Sequence, residues 1–220
     1  MVAALALTGC TLHPGAAAVV NSTTISQNHV EDLVLAACSF QKAARLKSGG
    51  ASPSTSTASF RTFFTQNLIT FELSGAAADR LHLTVSPAAI AKITTSETVP
   101  AGVDPTDRQL LVEFFTDSAR SELQAAVIGA HQKNPSVTTA DNVTKADLTA
   151  GNAYLKSYAA KQHILVNPAI GTWVNGKIQP GDGSLSAPVS AAARNWLSLR
   201  AAGATSASTV TGLPPSQICG

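Results

Sequence analysis

The chain has 220 residues and a net charge of +2 at pH 7, with 45% of its residues hydrophobic and only 13% charged. It is long enough to bury a sizeable core, and its small charge imbalance supplies neither a basic face for nucleic acid nor an acidic one for cationic partners. Its apolar residues recur periodically over most of its length, which argues against wholesale disorder. Beyond the N-terminus no run approaches the roughly 18 to 20 uninterrupted apolar residues of a membrane-spanning helix.

Residues Met1 to Gly9 are apolar and uncharged and lead into Leu7-Thr8-Gly9-Cys10. This tetrad resembles the lipobox of bacterial lipoproteins. The resemblance implies a leader over 1–9 and a thiol at Cys10 that accepts diacylglycerol through a thioether and becomes the mature N-terminus, with a tether over 10–15. Two buried acyl chains anchor a protein stably, at about 0.8 kcal/mol per buried methylene. The body is then expected on the extracytoplasmic face of the cell membrane. No Lys or Arg precedes Cys10, a departure from the cationic opening of such leaders that a translation start further upstream explains. The alternative is a Gly-Cys pair that falls by accident in an apolar stretch.

Downstream, Ala16 to Val20 is short and β-prone, Asn21 to Thr24 reads as a turn, and Ile25-Ser26 leads into a helix with Ser26 as N-cap. Val30, Leu33, Val34, Cys38 and Leu46 are expected on one face of that helix, with Glu31, Asp32, Gln41 and Arg45 on the wet side. The Gly- and Pro-containing run from Ser48 to Ser56 ends it. A second helix is expected over Thr57 to Arg80, where Phe60, Phe63, Phe64 and Phe71 supply the apolar bulk. A third begins at Ser86-Pro87 and a fourth at Asp104-Pro105, each a cap followed by proline in the first turn. The fourth is expected to run to about His131 as the backbone of a bundle, through Leu111, Phe114, Phe115, Leu123, Val127 and Ile128, and a fifth runs from Thr144 to Lys161. After it come a β-prone tetrad, His163 to Val166, a Gly/Pro-rich loop to Pro188, a short helix over Ala191 to Leu199 and an irregular tail.

The chain holds three cysteines. With Cys10 assigned to lipid, Cys38 and Cys219 remain as a pair in a compartment that permits disulfides, and they are expected to be bonded, pinning the C-terminus to the first helix. The alternative for Cys38, which extends the apolar ladder of Val30 and Val34, is a buried free thiol.

Ala18-Val19-Val20-Asn21 followed by Ile25-Ser26 and an amphipathic helix resembles the opening of the N-terminal domains of SurA- and PrsA-type foldases, although Ser22 stands where those domains usually carry Gly. The resemblance continues through Thr84-Val85-Ser86-Pro87 and the later long helices. Asn167-Pro168, Gly171-Thr172-Trp173, Leu185-Ser186 and the closing Leu213 to Gly220 look like a group of secreted SurA-N-like lipoproteins. What this implies is a mainly α fold, a SurA-N or trigger-factor-like chaperone domain with a few short strands over 16–220. The implied function is that of a holdase. Its partners would be unfolded or newly secreted polypeptides, bound reversibly against exposed apolar surface without ATP.

Chemical motifs are incomplete. Gln162 to Val166 resembles the first strand of a parvulin prolyl isomerase, but 164–220 is shorter than such a domain and contains no Phe, Met or His, so His163 is read as a strand-edge residue and no isomerase activity is expected. Gly171 to Lys177 approaches a phosphate-binding loop, yet Ile178 replaces the hydroxyl that would hold magnesium, and the segment is read as an exposed turn with Trp173 as its packing anchor. His13, His29, His82, His131 and His163 are scattered without ligand spacing, so neither metal nor cofactor is implied, and no catalytic residue is assigned. The competing reading is an envelope lipoprotein that binds a small ligand or one dedicated protein partner, with a closed pocket and convergent polar groups.

Overall fold

β1 (Ala16–Val20) is the central strand of a three-stranded antiparallel sheet, flanked by β2 (Thr23–Ser26) and β4 (Ile164–Val166) in the order β2-β1-β4. Central placement explains its run of small and apolar residues, all five of them buried. The computed structural model describes residues 14–49, 54–94, 99–179 and 213–219. The leader, Cys10, His13, the helix expected over Ala191 to Leu199 and most of the irregular tail lie outside the described residues.

The turn between β1 and β2 is tighter than the sequence suggests. Thr23 and Thr24, expected in the turn, are strand residues paired with Val20 and Val19. Asn21 makes this turn possible by adopting φ 55°, a left-handed conformation that Asn tolerates better than most residues. Its backbone N–H donates to His163 O at 2.7 Å, its side-chain oxygen accepts from His163 N at 3.1 Å, and its amide donates to Gln162 Oε1 at 3.0 Å. One residue thus closes the hairpin and fixes the register of β4, in which Val20 faces Ile164 and Ala18 faces Val166.

Five helices make the described chain mainly α: α1 (Gln27–Lys47), α2 (Thr57–Arg80), α3 (Pro87–Thr94), α4 (Pro105–Lys133) and α5 (Lys145–Ala159). Most starts carry a side-chain cap. Ser56 accepts from Ser59 N at 3.1 Å, Ser86 from Ala89 N at 3.2 Å and Asp104 from Thr106 N at 2.9 Å, each satisfying an N–H that a helix leaves orphaned. Thr144 and Asp147 form a reciprocal capping box at α5. Ser26 occupies the cap of α1 but makes no side-chain cap bond.

The apolar ladder of α1 is buried at Val30, Leu33 and Val34, and Cys38 is partly buried, but Leu46 is 78% exposed. It lies sixteen positions after Val30, roughly 160° round the helix axis, and so on the opposite face. Gln41, expected to be wet, is partly buried and donates to Thr55 Oγ1 at 2.8 Å.

α4 passes through all three core clusters. Near its start Leu111 packs with Ala36 and Val103; further on Phe114 joins the α1, α2 and sheet cluster; its last half, with Val127 and Ile128, packs against α3 and α5. The approach to α5 is very close. A Cβ on Gly129 would overlap the Asp147 carbonyl and sit 2.6 Å from Gly151 N, while one on Gly151 would overlap the Ala125 carbonyl.

The Gly/Pro-rich segment after β4 contains a hairpin in place of the expected loop. β5 (Thr172–Val174) pairs with β6 (Lys177–Gln179) across Asn175 and Gly176, at φ 52° and 85°, the two positive dihedrals that a two-residue hairpin turn demands. Ile178 is buried, Trp173 packs on the main core as expected, and Gln66 of α2 grips the hairpin by accepting from Ile178 N at 2.6 Å and donating to Gly176 O at 3.1 Å. Finally β3 (Thr55–Ser56) pairs with β7 (Ile218–Cys219), which follows a single 3₁₀ turn at Pro215–Gln217.

Candidate functional site

Cys38 of α1 and Cys219 of β7 are brought together, with Cα atoms 4.7 Å apart and their sulfurs at disulfide distance. The strand pair β3–β7 holds Cys219 opposite Thr55, and Gln41 and Arg45 of α1 reach Thr55 and Ser54 at 2.8 Å each. The C-terminal segment is therefore seated where α1 ends and α2 begins. Cys219 is 1% exposed.

The aromatic residues of α2 and α4 form one cluster centred on Phe114, whose ring lies 5.0 Å from Phe64, 5.4 Å from Phe71 and 6.1 Å from both Phe63 and Phe115. These are separations at which edge and tilted aromatic contacts stabilise beyond simple burial. Phe64 is buried, but Phe63 at the rim is 50% exposed. Leu35 on α1 and Val112 on α4 are likewise exposed, at 64% and 47%. Helical phase accounts for Leu35, which lies one residue beyond Val34 and hence about 100° off the buried stripe.

Three of the open clefts among the described residues bear on function. One of about 390 Å³ runs between α1 and the first turns of α4; Leu35 and Leu110 supply apolar surface to its lining, and Asp32, Asp107 and Glu113 supply carboxylates. A second, about 350 Å³, lies between α2 and α4 over Phe71 and Gly75, beside the Asp117–Arg120 ion pair. The third, about 410 Å³, lies where α4 leads into α5. It is lined mostly by exposed residues, among them Asn134, Ser136 and Asn142. Its ionic centre serves the fold. Asp147 accepts from Lys133 Nζ at 2.7 Å and from the Thr144 hydroxyl at 2.7 Å and its backbone N–H at 2.9 Å, and these donors, Lys133 foremost, hold its carboxyl at about 2.

Four of the five histidines are described. His29, His82 and His163 are exposed, and His131 is partly buried with Nδ1 2.9 Å from Val137 O. Among the described residues no group of three or more His, Cys, Asp or Glu side chains is placed to hold a metal ion, and no helix is long and apolar enough to cross a membrane. The Gly171 to Lys177 segment is the β5–β6 hairpin, its turn at Asn175-Gly176.

Sequence reasoning missed the α1–α4 cleft. Phase alone exposes Leu35, but nothing in the periodicity brings Asp32 of α1 alongside Glu113 of α4. Compared with models of known protein families, with curated proteins and with solved structures, the chain matches none.

Proposed function

We propose that the protein is an extracytoplasmic holdase: a lipoprotein tethered through Cys10 whose helical body, of the SurA-N type, binds unfolded or newly secreted polypeptide. The observation that carries this reading is the exposure of Leu35, Phe63 and Val112 on three different helices of one bundle. In this reading the three side chains are points that a client's own apolar residues cover, and a flexible client wraps several of them at once. Binding of this kind is weak per contact, needs no nucleotide and tolerates many sequences. The Cys38–Cys219 pair, at disulfide distance, suits an oxidising compartment.

The test dilutes a chemically unfolded client into buffer with increasing amounts of the full chain and follows light scattering. Protection that grows with the ratio of chain to client is the expected result. Aggregation unchanged at severalfold excess would overturn the holdase reading in favour of a single ligand or dedicated partner.

A further inference from the structure

The α1–α4 cleft differs from the other exposed apolar surface in its charge. Leu35 and Leu110 are its large apolar lining residues, and every ionisable residue lining it is acidic: Asp32, Asp107 and Glu113. This acidic lining stands on a chain whose net charge is +2, so it is a local arrangement rather than a reflection of composition. The nearest guanidinium in sequence, that of Arg108, is turned away and donates to the carbonyls of Val99, Pro100 and Val103 at 3.0, 2.8 and 3.4 Å. Asp32 and Asp107 have no hydrogen bond or ion pair from a side chain among the described residues, and Glu113 accepts only the uncharged amide of Gln109, at 3.0 Å.

Three carboxylates that line one cleft with no basic residue in its lining repel one another weakly and attract a positive ligand. The Leu35 and Leu110 side chains between them present apolar surface that a small hydrated cation would leave uncovered. The geometry points to a polypeptide segment in which a Leu-sized side chain is flanked by Lys or Arg: the apolar residue fills the cleft between α1 and α4, and the cations reach the carboxylates on either side. This rests on the holdase reading and deepens it, by making one of the client-binding surfaces selective for basic apolar segments. Lys and Arg suit the site because their methylene stems cover apolar surface while the charged end stays in water. Each exposed pair strengthens binding by a factor of only about 1.5 to 5, so three together amount to about tenfold in affinity, a contribution that salt screens.

The test measures fluorescence anisotropy of three labelled peptides with the full chain: one of Leu and Lys, one with Glu in place of every Lys, and one with Ser in place of every Leu. The Leu/Lys peptide is expected to bind about tenfold more tightly than the Leu/Glu peptide at low salt, and more tightly than the Ser/Lys peptide, which leaves the Leu35 and Leu110 side chains uncovered. The combined variant Asp32→Asn, Asp107→Asn, Glu113→Gln is expected to bind the Leu/Lys and Leu/Glu peptides alike, and Leu35→Ser, at a side chain 64% exposed, to weaken the Leu/Lys peptide in a chain that still unfolds cooperatively. Equal binding of Leu/Lys and Leu/Glu by the unaltered chain, or a preference that survives the triple variant, overturns the proposal. So does self-association of the unaltered chain that the triple variant abolishes, because a second copy would then be the occupant. Light scattering on the same samples separates this proposal from the holdase reading: protection without peptide preference removes the cleft assignment alone, whereas a carboxylate-dependent preference without protection supports the cleft and removes the holdase.

Discussion

The crossing of α4 and α5 gives a prediction in which one chemical change has opposite signs at two places. Gly129 and Gly75 both lie inside helices, so replacing either by Ala gains about 1 kcal/mol of helix propensity or somewhat less. At Gly75 the new methyl meets a single atom within 4 Å, the flexible Gln124 amide at 4.0 Å. The propensity gain survives, and Gly75→Ala is expected to stabilise by about 0.5 to 1 kcal/mol. At Gly129 the methyl overlaps the Asp147 carbonyl and lies 2.6 Å from Gly151 N, against an optimum near 3.5 Å for such contacts. The helices must part by at least about 1 Å, and the obstacles are backbone atoms that no rotamer change moves. Overpacking of this kind costs about 3 kcal/mol or more, leaving Gly129→Ala destabilising by about 2 kcal/mol or more after the propensity gain. Urea unfolding at constant m reads both changes as midpoint shifts. A Gly129→Ala midpoint equal to or above that of the unaltered chain would refute the close crossing, as would a larger loss at Gly75 than at Gly129.

Two further outcomes follow from contacts at the ends of α5 and of the chain. Because Lys133 and Thr144 hold the Asp147 carboxyl at about 2, below its ordinary value of 3.8, its contribution to stability is fully present above about pH 4 and is lost as pH falls toward 2; Asp147→Asn is expected to flatten the stability profile in that window, and an unaltered profile would contradict the assignment. Reduction of the Cys38–Cys219 pair, which spans 181 residues of sequence, is expected to lower stability by up to about 5 kcal/mol in the chain-entropy account; identical urea midpoints with and without reductant would show that no crosslink is present.

Helix starts were legible because they are written in local chemistry. Ser86-Pro87, Asp104-Pro105 and Thr144 announce α3, α4 and α5, and each of the three residues before the helix is a working cap. Apolar periodicity placed the buried face of α4 correctly at Leu111, Phe114, Val127 and Ile128. It failed at Leu46, where steps of eight residues from Val30 through Cys38 turn about 80° each round the helix. The β5–β6 hairpin carried a signal that went unread, Asn175-Gly176, because strands of three residues give no alternation to frame it. The β3–β7 pair is two residues long and exists through contacts between distant parts of the chain, which no local pattern encodes. The α1–α4 cleft is hidden for the same reason: Asp32 and Glu113 each read as ordinary solvated charges until the helices are packed.

The central claim is that the exposed apolar side chains bind clients, and the most direct measurement compares the full chain with its Leu35→Ser, Phe63→Ser, Val112→Ser variant in suppressing aggregation of an unfolded protein, alongside their urea midpoints. Because all three side chains are exposed by 47% or more, the account predicts a variant that still folds, its midpoint lowered chiefly by the loss of Phe63 from the aromatic cluster, and protection that falls severalfold. A variant that folds and protects as well as the unaltered chain would contradict it.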